Sequence, residues 1–270
     1  MKYLVTMRLE RRSLEELRAA GTPVIGFWGM PPQHLLRRVA AAHPGVPFYD
    51  LDVDYGAPRT AVLPDAYCHI IRNCVDNALG LGPQLVCLAA ATGDEKCDAA
   101  RFAARLLKDT LHVPVLASEN TGEPVRGEPL LCQSLGRVKH RAVRIMESVI
   151  EPLSDEERAH AQQHQCQPTH GFWGTPPHPI GVLDLFPETT HIFGWTRVVE
   201  LGQPADLDAE MYVPDGLPTV FFAQGFCPKA LLARSLAAQH RGMFVDVHDT
   251  LNAATRAKIE AFIRLTGGSL

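Results

Sequence analysis

The chain has 270 residues, 46% of them hydrophobic, and 26 Lys and Arg stand against 30 Asp and Glu for a formal net charge of −4. That is enough apolar material for one large or two moderate cores, and the charge leaves no net basic character of the kind that holds nucleic acid or anionic lipid. The opening "MKYLVTMRLERRSLEEL" is interrupted by charges, and no apolar run approaches the ~18 residues that cross a bilayer, so a cytoplasmic protein without a membrane or nucleic-acid partner is expected.

In chain order, "SLEELRAAG" reads as a helix packed on the outside. The phrase "VIGFWGMPPQHLL" from Val24 follows, and a close copy, "THGFWGTPPHPIGVL", begins at Thr169. Each copy reads as an apolar strand ending in Gly-Phe-Trp-Gly, two prolines that open a loop or a first helical turn, and an apolar-periodic segment. The next strands are "VPFYDLDV" and "HIFGWTRVV". Each half then gives a further strand, a cysteine-bearing loop and a helix: "LVCLAAATGDEKCDAARFAARLLKD" and "TVFFAQGFCPKALLARSLAA". Final strands "VPVLAS" and "MFVDVH" close the pattern, and "NAATRAKIEAFIRL" reads as a terminal helix. Between the halves, "GRVKHRAVRIMESVIEPLSDEERAHAQQH" is a charged helical stretch, broken near Pro152 and restarted by the capping sequence "SDEE".

Strands alternating with helices mean βαβ units. The expectation is an α/β protein of two Rossmann-like lobes with parallel sheets, joined by a helical linker. The first lobe with its N-terminal helix takes residues 1–122, the linker 123–167, and the second lobe with its C-terminal helix 168–270. Neither lobe carries a Gly-x-Gly-x-x-Gly or P-loop pattern.

In a reducing compartment, seven cysteines are core fillers, ligands or nucleophiles rather than disulfide halves. Ligands of open α/β sheets sit beyond the carboxyl ends of the strands, where a helix N-terminus stabilises a thiolate. Cys227, just before Pro228, is expected at an N-cap, Cys97 precedes "DAARFAARLL", and Cys68 falls in the first turn of a helix that Asp65 caps. Cys87 lies within an apolar strand as a core residue. Cys74 is about 240° around the helix from Cys68 at roughly 100° per residue and faces elsewhere. Cys132 and Cys166 receive no geometry from the sequence. Inert packing is the alternative for any one of these thiols. Zinc favours close C-x-x-C pairs, which are absent, whereas three widely spaced thiolates suit an iron–sulfur cluster with one open iron.

The runs "VIGFWGMPPQHLLRRVAAAHPGVPFYDLDV", "AVLPDAYCHIIRNCVDNALG", "LVCLAAATGDEKCDAARF" and "TVFFAQGFCPKALLARSLAAQHRGMFVDVHDTLNAATRAKIEAFIRL" resemble subunits of the 2-hydroxyacyl-CoA dehydratase and benzoyl-CoA reductase family. The family has a Leu-Pro segment with a first cysteine, a Cys-Asp at the next strand's end, a cysteine after a later strand, and a closing Thr-Arg-x-x-Ile-Glu-Ala-Phe helix, here Thr255 to Phe262. The resemblance implies that Cys68, Cys97 and Cys227 hold a 4Fe-4S cluster between the lobes. It implies a lyase or reductase subunit that pairs with itself or a homologous subunit. Such a subunit takes single electrons from an ATP-dependent activator protein and eliminates water from, or reduces, an acyl-CoA thioester by radical chemistry. The chain is shorter than the usual subunit between its second and third cysteines, so two other readings stand beside this one. They are a metal-handling or electron-transfer protein that carries a cluster without substrate chemistry, and a two-lobe small-molecule binder without a cluster.

Trp28, Trp173, Phe27 and Phe172 of the repeated phrase read as packing groups, with a cleft lining as the alternative. Gly29 and Gly174 read as positions that need backbone conformations closed to other residues. His69 is a candidate fourth ligand or proton donor beside Cys68, and His34, His170 and His178 lie near the repeated loops. Asp94, Glu95 and Asp98 around Cys97 serve as acid–base candidates or as helix-end charges.

Overall fold

The computed structural model describes residues 6–93, 97–119, 128–203 and 206–267. These fall into two compact units, Met1–Gly122 and Glu123–Leu270, and each contains its own sheet of parallel strands.

The first unit opens with β1 (Leu9–Glu10) and α1 (Leu14–Ala20). Ser13 and Glu16 form a capping box at the start of α1, and Gly21 ends it in the left-handed conformation. Then come β2 (Val24–Trp28), α2 (Gln33–Ala42), β3 (Phe48–Asp50), α3 (His69–Leu81), β4 (Leu85–Thr92), α4 (Asp98–Thr110) and β5 (Val115–Glu119). The sheet order is β1-β3-β2-β4-β5. Register pairs Ile25 with Phe48 and Cys87, and Phe27 with Asp50 and Ala89. Every residue of β2 is buried, as is all of β4 but Val86, which is why both read as unbroken apolar runs rather than alternating ones.

The second unit begins with a 3₁₀ turn, Leu131–Gln133, followed by α5 (Val138–Glu147) and α6 (Asp155–Gln163). The break between these helices falls where Pro152 stands, and Ser154 and Glu157 restart the chain with a second capping box. β6 (Gly171–Trp173), β7 (His191–Phe193), α7 (Trp195–Leu201), α8 (Leu207–Met211), β8 (Thr219–Gln224), α9 (Ala230–Gln239), β9 (Met243–Val247) and α10 (Ala253–Leu265) complete it. The sheet order is β7-β6-β8-β9. Among the described residues no helix is long and apolar enough to cross a membrane.

The repeated phrase therefore marks a repeated topology. β3-β2-β4-β5 in one unit corresponds to β7-β6-β8-β9 in the other, and each Gly-Phe-Trp-Gly ends a central strand. The copies diverge just after it: ten residues of α2 follow the first, whereas a 3₁₀ segment, Ile180–Leu185, follows the second. "HIFGWTRVV" is not one strand, because only His191–Phe193 pairs and α7 starts at Trp195. Gly194 makes the corner at φ 73°, and a Cβ there would stand 2.6 Å from the Gly174 nitrogen. Gly174 is itself at φ 151°, where a Cβ would meet the Phe222 carbonyl oxygen at 2.7 Å. Two backbones thus touch where only glycines fit.

Gly174→Ala should cost roughly 3 kcal/mol or more, since an unfavourable φ adds to a backbone collision. Gly202, at φ 72° with nothing within 4 Å of a built Cβ, should cost only about 1 kcal/mol when replaced by alanine. Urea unfolding of the two variants decides this, and equal losses would refute the close-approach account.

Candidate functional site at the carboxyl edges of the sheets

Parallel pairing brings the carboxyl ends of β2, β3 and β4 to one edge of the first sheet, where loops and helix N-termini meet. Helix α3 organises this edge. Its residues His69, Arg72, Asn73, Asp76 and Asn77 are all buried although all are polar, and burial on that scale requires partners. Asn77 Nδ2 donates to the carbonyls of Leu51 at 3.1 Å and Val53 at 2.8 Å, and Asn73 Nδ2 donates to that of Asp52 at 3.3 Å. Three successive carbonyls after β3 are held by one helix face. Asp76 accepts from the Thr60 amide at 3.0 Å and from its hydroxyl. Arg72 donates to the Pro64 carbonyl and lies 3.6 Å from Asp65. His69 Nδ1 lies 3.3 Å from an Arg59 guanidinium nitrogen.

Asp52 sits at the centre of the edge. Its carboxylate accepts from the Gly29 amide at 2.7 Å and from the Cys74 thiol at 2.9 Å, and so connects the first Gly-Phe-Trp-Gly to α3. Burial raises the Asp52 pKa, against the lowering effect of both donors. Burial likewise pushes the Cys74 thiol well up, and the neighbouring Asp52 charge adds to it. Cys74 is therefore a protonated donor inside the unit.

Cys68 is the N-cap of α3 rather than a residue of its first turn, because the helix starts at His69. Asp65 is not its cap but an ion partner of Arg72. Cys97 is the N-cap of α4, as expected. Cys68 is buried and Cys97 half-buried. Helices α3 and α4 pack together, and both thiols act on the Tyr67 phenol, whose pKa is raised first by burial and then by Cys97 and Cys68. The two thiols thus stand at the N-caps of neighbouring helices. Asp98 opens α4, and Asp94 and Glu95 lie outside the described residues.

In the second unit Cys227 follows β8 but is not an N-cap. α9 begins at Ala230 with Lys229 at its cap, because Cys227 is spent on a turn: its amide donates to the Gln224 carbonyl at 2.9 Å, and its carbonyl accepts from Ala230 at 3.0 Å. Phe226, at φ 61°, presents its ring edge-on to His248 at 4.8 Å. Buried Gln224 fixes this edge. Its amide oxygen accepts from the His178 amide at 2.8 Å, and its nitrogen donates to the carbonyls of His178, Val247 and His248. Lys229 pairs with buried Glu210 and lies over the Trp195 ring at 5.0 Å.

The remaining thiols have structural settings. Cys87 is buried in β4. Cys132 is buried beside Glu200, whose carboxylate accepts from the amides of Leu130, Leu131 and Cys132 at 3.0, 2.6 and 2.9 Å. Burial, and then Glu200, raise its pKa. Nearby Arg141, also buried, donates to the carbonyls of Gly136, Leu131, Cys132, Glu188 and Thr190. Cys166 lies 3.9 Å from His191 Nε2. Trp28 and Trp173 are core residues, and the Trp173 indole donates to the Glu210 carbonyl at 2.7 Å. His170 is buried between the Thr169 and Thr266 hydroxyls, while His34 is exposed on α2.

No protein-family profile matches the chain, and no curated protein matches it significantly. The sequence reading passed over Asp52, Asn73, Asn77, Tyr67 and Gln224. One signal for the α3 group was present: polar residues at 69, 72, 73, 76 and 77 form a single stripe at helical spacing.

Asn77→Ala leaves two carbonyls of the β3 loop without their donor and should cost about 2–4 kcal/mol in chemical unfolding, while Cys74→Ser, which keeps a donor to Asp52, should cost less. A carboxyl whose folded-state pKa is raised holds its proton more tightly when folded. The Asp52 contribution is therefore full below its ordinary value of 3.8 and is lost as pH rises through the raised folded value. Across that window Asp52→Asn should show a flatter stability–pH curve than the unaltered protein, and superimposable curves would refute the assignment.

Proposed function

We propose that the chain is an iron–sulfur-binding subunit of the kind the dehydratase resemblance implies, with Cys68, Cys97 and Cys227 as its thiolate ligands. The observation that supports this reading is that Cys68 and Cys97 are the N-caps of two helices that pack together, at the carboxyl edge of one parallel sheet. Helix N-termini favour the thiolate over the thiol, which suits soft-metal ligation. Cys227 stands after the corresponding strand of the second unit and is the third ligand in this reading. A cluster of this type, when bound, supplies one-electron transfer and an open iron able to polarise a substrate oxygen. The chain's own groups have narrower tasks. The α3 network holds the loop before Cys68 and so fixes where that thiol stands.

The substrate class in this reading is an acyl-CoA thioester, with a paired subunit and an ATP-dependent activator as electron donor. Oxygen-free purification with iron and sulfide analysis tests the metal part. The protein should be brown with a broad absorbance around ~400 nm, and Cys68→Ala, Cys97→Ala and Cys227→Ala should each lose iron while Cys87→Ala retains it. Colourless protein, or equal iron in all four variants, would overturn the ligand set. Acyl-CoA added to the reduced protein should perturb the cluster spectrum, and an unchanged spectrum would reduce the function to carrying or transferring electrons.

A further inference from the structure

Strand β5 is an open edge of the first sheet, since the order β1-β3-β2-β4-β5 gives it a neighbour on one side alone. The Leu88 amide donates to the Pro114 carbonyl at 2.9 Å, and the register runs without a shift from Leu88 with Val115 to Thr92 with Glu119. In a parallel ladder alternate residues bond to a given neighbour, so Leu116 and Ser118 face β4 while Val115, Ala117 and Glu119 turn their amides and carbonyls outward. Val115 is half-buried, and Ala117 and Glu119 are exposed. A cleft of about 540 Å³ follows this edge, with Val115, Leu116, Ala117 and Ser118 in its lining and Arg38 of α2 and Ala104 and Lys108 of α4 among its walls. Successive side chains of a strand point to opposite faces, so a cleft that reaches four in a row passes around the edge rather than over one face.

An unpaired edge is a template for a further strand, and sheets guard against this with short strands, charges or covered side chains. The other edges are guarded in these ways. β1 and β7 have two and three residues, and β9 carries exposed Asp246 and a Phe244 ring beneath the Arg234 guanidinium at 4.8 Å. β5 has five residues, and its one charged side chain, Glu119, stands at its end. Outward amides and carbonyls match the main chain of an extended peptide, which offers the same two groups at every second residue. The edge lies in a concavity, which takes a single strand; in a second copy of the chain the same walls would stand against these. Arg105 is engaged by Asp109 at 3.3 Å and Arg101 also has a partner, which leaves exposed Arg38 and Lys108 as the cations a bound peptide meets. Among the described residues that line the cleft none is acidic, so acids on the peptide are favoured over bases, modestly because both cations are exposed.

We propose that β5 binds an extended acidic peptide segment of a partner protein as an added strand of the first sheet. The proposal does not depend on iron and holds for the full chain with or without a cluster. Its test is calorimetric titration of the full-length protein with a capped peptide of about eight residues that alternates valine and glutamate, long enough to span the strand. The peptide should bind at one site per chain. A version N-methylated at its two central amides, one on each edge, should bind about tenfold or more weaker because it loses main-chain donors. A version with lysine in place of glutamate should bind about threefold or more weaker. Ala117→Pro removes an outward amide and spares the ladder to β4, and should weaken the glutamate peptide by about tenfold or more. Arg38→Glu and Lys108→Glu should each weaken the glutamate peptide and strengthen the lysine peptide, by about threefold. Arg18→Glu, an exposed change on α1, should leave both unaltered. Far-UV circular dichroism identifies any variant that fails to fold, and the methylated peptide on the unaltered protein then carries the test. Absent binding at millimolar concentration, equal binding of the methylated peptide, or lysine-peptide binding as tight as that of the glutamate peptide would each overturn the proposal. So would a dimer, seen by light scattering, that Ala117→Pro abolishes, since the edge would then belong to a second copy.

Discussion

The carboxyl edge of the first sheet depends on the burial of a polar helix face. Asn73 and Asn77 of α3 take up three consecutive carbonyls, those of Leu51, Asp52 and Val53, while Asp76 and Arg72 capture the chain further on at Thr60 and Pro64. Carbonyls leaving a strand cannot be left dry, because each unpaired buried polar group costs about 1–3 kcal/mol. The loop after β3 is too irregular to satisfy them by itself, so the helix supplies donors in place of a further strand. Cys68 is placed by this arrangement, since it begins the same helix.

Asp52 extends the network across the sheet. By accepting from the Gly29 amide it ties the turn after β2 to the loop after β3, and by accepting from Cys74 it ties both to α3. This accounts for the different fates of two cysteines six residues apart. Cys74 faces inward and is retained as a protonated donor by burial, whereas Cys68 caps the helix at the edge where Cys97 also stands.

The second unit solves the same topological problem with other residues. Its edge is fixed by Gln224, which joins the loop after β6 to the end of β9, and its opposite approach by Arg141 and Glu200, which collect carbonyls and amides around the 3₁₀ turn. The strand order, the glycine-terminated central strand and the helix between the last two strands are shared with the first unit. Duplicated sequence has kept the scaffold and exchanged the polar fastenings.

The amino-acid sequence by itself determined the alternation of strands and helices, the duplication, the capping box at Ser154, and the place of Cys97 before a helix, because each rests on local periodicity or on backbone groups within a few residues. Tertiary structure alone decided what the stripe at positions 69, 72, 73, 76 and 77 does. Helical spacing cannot distinguish a polar face turned to water from one turned to unpaired carbonyls far along the chain. The same holds for "HIFGWTRVV", whose apolar run reads as one strand until the approach of the Gly174 backbone forces the chain to turn at Gly194. It holds also for Cys227, which local sequence places at a helix cap and a turn onto Gln224 moves ahead of it. In each case the deciding partner lies elsewhere in the chain, and distance in space is a quantity that spacing along a sequence does not contain.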